Sequence, residues 1–328
     1  MPKERVVWID VLRGLCLIAI LYDHTEIYYF GDNMVPYDFY VPDVLVTFVF
    51  LSGVLFNRQP LDWRKKIRSI MRRLVIPYFF FTLLFAIPKA VAHGWKIDFS
   101  IIENILLGEA SWFITALIVA ELLFLLLLQS IKNKAVLAIV SLLIAVASCM
   151  IDADEFNFWN WQQAALFMPL LCFGYLMKPL LLDEPVKQPK NSIIFCLFIA
   201  ILCLKYVNFT LGYRTLIYPL YISQPIIAAL NFAISSVFLT YFAQKIAAKN
   251  SFNDLHFLLK IAHFIGNRAI PFYFLCGGVP LTVCFALNYF AGLQPTVWLL
   301  PIIFVVVLIL TTVLAHLFTK YLPYLSGK

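Results

Sequence analysis

Apolar residues in this chain fall in long unbroken runs separated by short polar breaks. Each run of roughly 17–25 mostly apolar residues matches the length of helix needed to cross a bilayer. The pattern predicts helical spans at 7–30, 41–57, 74–93, 112–130, 135–151, 162–182, 192–212, 222–244, 269–291 and 296–319, the last two parted by the turn at Gly292–Pro295. The runs are continuous rather than alternating, which excludes a transmembrane barrel. Lipid offers no hydrogen-bond partners, so the backbone must pair within each span. The expected fold class is all-α: one polytopic transmembrane helix bundle of about ten spans, covering 1–328 as a single membrane-embedded domain.

Charge fixes an orientation. Lys3 and Arg5, then Arg58, Arg64, Lys65, Lys66, Arg68, Arg72 and Arg73, all fall on one side. So do Lys132, Lys134, Lys178, Lys187, Lys190, Lys245, Lys249, Lys260, Arg268, Lys320 and Lys328. The opposite side holds Lys96 and Arg214 and an acidic loop with Asp152, Asp154 and Glu155. Basic loops stay in the cytoplasm, so both termini are expected to be cytoplasmic. One span more or fewer would reverse every later loop. The basic segment 58–73 reads either as a topology anchor or as an amphipathic helix on membrane lipid, with Trp63, Ile67, Ile70 and Met71 on its apolar side. The stretch 245–268 is a weaker version of the same.

Composition agrees. Of 328 residues, 62% are hydrophobic and 13% charged, with a mean hydropathy of +0.88, which no soluble domain carries. The net charge of +7 is spread through loops, so it argues for topology and against nucleic acid. The seven cysteines sit in apolar runs with no CxxC and read as small packing residues, not disulfides or metal ligands. The N-terminal run resembles a signal peptide, but Asp10, Arg13, Asp23 and His24 interrupt it. It is expected to remain as a span. No loop is long enough for a separate soluble domain, and no internal repeat is visible.

The chemistry concentrates in the first span. Asp10 and Arg13, three residues apart, share a helix face. Arg13 and His24 lie eleven residues apart, close to three turns, on nearly one face and about 16 Å apart along the axis. Charge at such depth costs at least a few kcal/mol and usually marks a pathway or a site. Asp10–Arg13 reads equally as a packing pair or as part of a site. His24, crowded by Asp23 and Glu26, reads as a group that takes or passes a proton. Ser52, Trp112, Thr115 and Glu121 are candidates to line the same cavity. Lys89 and Lys205 are expected to snorkel from outer span ends, and His316 to be packed. His256 and His263, seven apart in a loop, match no strong metal spacing; no metal site is expected. The sequon at Asn208–Thr210 carries no weight.

At these residues the sequence resembles the acyltransferase-3 family of bacterial integral-membrane acyltransferases. Trp8-Ile9-Asp10-Val11-Leu12-Arg13-Gly14 through His24 reproduces its arginine, ten residues and histidine. Phe48-Val49-Phe50-Leu51-Ser52-Gly53 is like its FF-x-x-SG segment, and Arg72-Arg73-Leu74-Val75-Ile76-Pro77-Tyr78 like its basic run into the third span. Trp112-Phe113-Ile114 resembles its WFL element, and Ile265-Gly266-Asn267-Arg268 with Phe272-Tyr273 its late IG-x-x-SL-x-IY segment. The matches keep family order along nearly the whole length. The short chain looks most like the small sugar O-acetyltransferases, the group that includes those acting on enterobacterial common antigen. Cys276 stands where many members carry a histidine, and Ala269 replaces a serine.

The resemblance implies an O-acyltransferase, acetyl most often, in the bacterial cytoplasmic (inner) membrane. It implies acyl-CoA as donor, and as acceptor a hydroxyl of a surface glycan or lipid-linked sugar. On that basis Arg13, Arg68, Arg72 and Arg73 are expected to bind the CoA phosphates. His24 is expected to act as general base or transient acyl carrier, with Asp23 or Glu26 orienting it. Asp10, Ser52, Trp112 and Glu121 are expected to line the site. The competing readings are a proton-coupled transporter or glycan flippase using the same cluster, and a non-catalytic scaffold, which leaves Arg13 and His24 unexplained.

Overall fold

The computed structural model describes residues 6–56, 62–94, 98–151, 157–183, 189–247, 256–292 and 294–327. Lys3, Arg5, Arg58, Lys96, Asp152, Asp154, Glu155, Lys187, Lys249 and Lys328 lie outside the described residues. The helices are α1 (Val7–Phe30), α2 (Tyr37–Val54), α3 (Trp63–Ile70), α4 (Ile76–His93), α5 (Ser100–Leu107), α6 (Trp112–Ser130) and α7 (Lys134–Cys149). They continue with α8 (Trp161–Lys178), α9 (Asn191–Thr210), α10 (Pro225–Ile246), α11 (Phe257–Gly266), α12 (Ala269–Ala291) and α13 (Leu300–Tyr321). A two-stranded hairpin, β1 (Thr215–Leu216) with β2 (Tyr221–Ile222), pairs Thr215 with Ile222 between α9 and α10.

Among the described residues, eight helices are long and apolar enough to cross a membrane. α1 has the length, at 24 residues, but carries Asp10, Arg13, Asp23 and Glu26; α7 is shorter, at 16. With these two, each of the ten expected spans is present as a helix. The molecule is an all-α polytopic bundle.

α1 runs through the centre and packs on α2, α10, α11, α12 and α13. The glycines of the sequence motifs set how closely its neighbours come. A Cβ on Gly14 would sit 1.8 Å from the Ala262 carbonyl oxygen of α11, and one on Gly266 would sit 1.8 Å from the Asp10 carbonyl oxygen. Backbones this close are how helices gain packing where lipid supplies no hydrophobic drive. α2 and α8 use the same device, since a Cβ on Gly53 or Gly174 would lie 2.1 Å from the Leu171 or Phe50 carbonyl oxygen.

Two expectations change here. The stretch 245–268, expected to be a weaker amphipathic segment, forms α11 in its second half, which packs along α1. Ten residues are too few for a span, so hydropathy alone hides it. The other concerns Lys205, which does not snorkel. Its ammonium sits 2.8 Å from the Asp43 carboxylate, with both side chains about nine-tenths buried, and donates to the Asp38 carbonyl at 2.8 Å. Asn231 of α10 donates to the other Asp43 oxygen at 2.6 Å. An ion pair ties α2, α9 and α10 because a lone charge at that depth would be costly. Lys205→Met is expected to lower unfolding stability by about 3–5 kcal/mol by orphaning the carboxylate. Adding Asp43→Asn is expected to restore most of that loss, as read by denaturation of the purified protein in detergent.

The described part of the basic segment is the foot of the third span. α3 continues through a π-helical turn, Met71–Val75, into α4, so 63–91 form one helix of 29 residues. Ile70 is buried while Trp63 and Met71 are exposed.

Candidate active site

Two cavities open from opposite ends of the bundle. The first, about 500 Å³, lies at the basic end and is lined by Arg13 of α1, Ser52 of α2 and Lys66 of α3. Arg72 and Arg73 of the π turn, Glu121 of α6 and Arg268 before α12 complete its charged wall. π turns are frequent at functional sites, and this one delivers two consecutive guanidinium groups to one opening. Five cations against one carboxylate give the cavity a positive character that suits a polyanion.

Several of these charges are braced. Lys66 pairs with Glu121 at 2.7 Å and lies 3.7 Å over the Phe56 ring. Arg13 sits 3.8 Å from the buried Asp10 carboxylate, whose other oxygen is 3.7 Å from His263 of α11. Asp10 is therefore held between two helices behind Arg13. Arg268 donates to the Phe264 carbonyl at 2.9 Å and lies over the Phe264 ring. Its other nitrogen is 3.1 Å from His316 Nδ1, which must accept, since arginine has only donors.

The second cavity, about 750 Å³, opens at the other end and is lined by His24 and Tyr28 of α1, Lys89 of α4, Glu109, Trp112 of α6 and Tyr218 of the hairpin loop. The His24 and Tyr28 rings stack with centroids 6.1 Å apart. Trp112 and Tyr218 lie nearly parallel at 5.1 Å and form an aromatic wall. Lys89, expected to snorkel, faces this cavity instead.

The structure thus gathers Arg13, Arg72, Arg73, Ser52 and Glu121 in one cavity and places His24 and Trp112 in the other. Five expected members lie elsewhere, among them Thr115, which is buried, donates to the Gly108 carbonyl and accepts from the Asn160 amide. Arg68 is exposed on the outer side of α3, because Lys66, Ser69 and Ile70 hold the inward face. Asp10 is buried behind Arg13 rather than lining the cavity. Asp23 and Glu26 do not reach His24. Asp23 accepts from the Asn33 side-chain amide at 2.6 Å, and Glu26 faces the Tyr22 hydroxyl at 3.4 Å and the Val35 N–H at 3.5 Å. Both carboxylates pin the segment that follows α1, and among the described residues none is hydrogen-bonded to the imidazole. Adjacent helix positions point about 100° apart, which turns Asp23 away. Cys276 is also outside both cavities, buried with its thiol 3.9 Å from the Leu17 carbonyl.

Sequence reasoning passed over Lys66 and Arg268 as topology charges, His263 as a loop residue, and Tyr273, which lines both cavities. A signal for the last was its place in the late motif.

A family model described as an acyltransferase domain matches residues 6–319. No curated protein and no solved structure matches the chain.

Proposed function

Because this chain belongs to the acyltransferase-3 family of membrane acyltransferases, we propose that it moves an acyl group, acetyl in the first instance, from cytoplasmic acyl-CoA to a hydroxyl of a surface or lipid-linked glycan. The observation that carries this reading is that Arg13 and His24, on one helix, open into separate cavities at opposite ends of the bundle. A basic cavity suits the CoA phosphates, and an aromatic-walled one suits a sugar face. The basic end is the cytoplasmic end by the charge rule, and the membrane is the bacterial inner membrane. The resemblance to small sugar O-acetyltransferases, including those acting on enterobacterial common antigen, belongs to this proposal.

In this scheme the acceptor oxygen attacks the thioester carbonyl carbon and the carbon–sulfur bond breaks. His24 takes the hydroxyl proton and returns it to the departing CoA thiolate, so the overall reaction consumes no net proton. Arg13, Arg72, Arg73, Lys66 and Arg268 hold the phosphates, and the pantetheine arm spans the roughly 16 Å between Arg13 and His24.

Two measurements test it. NMR of surface glycans from cells with and without the gene is expected to show an O-acyl ester that disappears with the gene; identical spectra would remove the proposal. Arg13→Ala, and separately Arg72→Ala with Arg73→Ala, are expected to weaken acetyl-CoA binding by about tenfold or more, as lost charged hydrogen bonds do. Unchanged affinity in both would separate the basic cavity from the donor.

One observation favours a second reading. Ser236 Oγ, Thr240 Oγ1 and Gln244 Nε2 form a row along α10 and have no hydrogen-bond partner among the described residues, a track suited to water or protons. A proton-coupled transporter or flippase would use it, and substrate flux across vesicles without any acyl-CoA would establish that alternative.

A further inference from the structure

The two cavities share one lining residue, Tyr273. Three helices place the boundary at its level. On α1, Leu17 faces the basic cavity and His24 the other; on α6 the change occurs between Phe113 and Trp112, and on α12 between Ile270 and Phe274, with Tyr273 between. The Tyr273 ring stands 5.7 Å from the Phe113 ring, tilted at 41°, and meets the Phe274 ring edge-on at 5.6 Å. Behind it, Cys276 lies against the Leu17 carbonyl and closes α12 on α1.

We propose that the Tyr273 ring is the partition between the two cavities: turned as it is, it keeps them apart, and turned aside, it opens a passage to His24. The ring meets the Phe113 and Phe274 rings and keeps partial exposure, so a rotamer change is its route of opening. Resting on the acyl-transfer reading, this gives the residue a second duty. With the ring in place, water in the outer cavity is kept from the thioester, and hydrolysis, in which water oxygen adds to the acyl carbon and CoA leaves as the thiol, is suppressed.

The barrier is testable without the chemistry. Ser52→Cys, in a chain whose native cysteines are replaced, reports on the basic cavity. A membrane-impermeant thiol reagent is expected to label it from the basic side alone. With Tyr273→Ala added, labelling is expected from both sides, and with Tyr273→Phe, which keeps the ring, from the basic side alone. Tyr273→Leu serves as the second opened variant should the alanine form not accumulate. Opened variants that still label from the basic side alone would overturn the partition.

The chemical arm uses the full chain in detergent with acetyl-CoA and no acceptor. Release of CoA is expected to rise about tenfold or more in Tyr273→Ala and to stay at the unsubstituted level in Tyr273→Phe. Two-sided labelling without CoA release in any form would keep the partition and remove the donor assignment. Raised release with one-sided labelling would overturn the partition and leave that assignment standing.

Discussion

Replacing His24 by alanine is expected to lower acyl transfer by about 10²–10⁴-fold, the usual contribution of a positioned acid–base group. Acetyl-CoA affinity is expected to stay near its normal value. The imidazole lies in the cavity away from the basic end, stacked on Tyr28 and about three helical turns from Arg13, so removing it leaves the basic cavity untouched. The loss should therefore appear in kcat. Asp23→Asn and Glu26→Gln are expected to leave the rate within a few fold, because their carboxylates hold the segment after α1 instead of His24. A side-by-side assay of CoA release with glycan acceptor decides both points. Full activity in His24→Ala would end the catalytic assignment, and a loss in Asp23→Asn equal to that of His24→Ala would restore a carboxylate partner.

The largest effect on stability is expected at Gly14. Its Cβ position coincides with the Ala262 backbone, 1.8 Å from the carbonyl oxygen and 2.5 Å from the carbonyl carbon. Backbone cannot turn aside as a side chain can, so α1 and α11 must separate. Overpacking of this kind costs about 1–3 kcal/mol where side chains can adjust; with backbone as the obstacle, Gly14→Val is expected to exceed about 4 kcal/mol. Separating the helices also pulls His263 from Asp10 and loosens the support behind Arg13. Thermal unfolding in detergent with acetyl-CoA titration reads both consequences. Gly277→Ala is the control, since among the described residues no atom beyond its own helical turn lies within 4 Å of its Cβ position; equal melting of the two variants would refute the packing argument.

The spans were legible because lipid-crossing helices announce themselves by length and apolarity: α1, α6 and α12 begin and end where the hydropathy pattern places them. The shared face of Arg13 and His24 followed from helical periodicity alone. What stayed hidden depends on contacts between segments distant in the chain. Nothing near His263 in sequence names Asp10 as its neighbour, and nothing near Lys205 points to Asp43, 162 positions earlier. α11 was obscured by its ten residues, and Tyr273 could not be read as a boundary before two cavities existed to be divided. Asp23 and Glu26 misled for the converse reason: closeness in sequence suggested a partnership that helical rotation forbids.

The Lys205–Asp43 pair also bears on how the chain is assembled in the bilayer. α9 has no fully buried residue along its length and meets the bundle chiefly through α10, so Lys205 is its main polar tether. Entering lipid alone, that span would carry an uncompensated ammonium, a cost of a few kcal/mol set against a mean hydropathy of 2.2. Its counter-charge lies on α2, which is synthesised first. Translation order therefore has Asp43 already within the membrane when Lys205 arrives, and a permuted chain with α9 ahead of α2 would have to insert the lysine before its carboxylate.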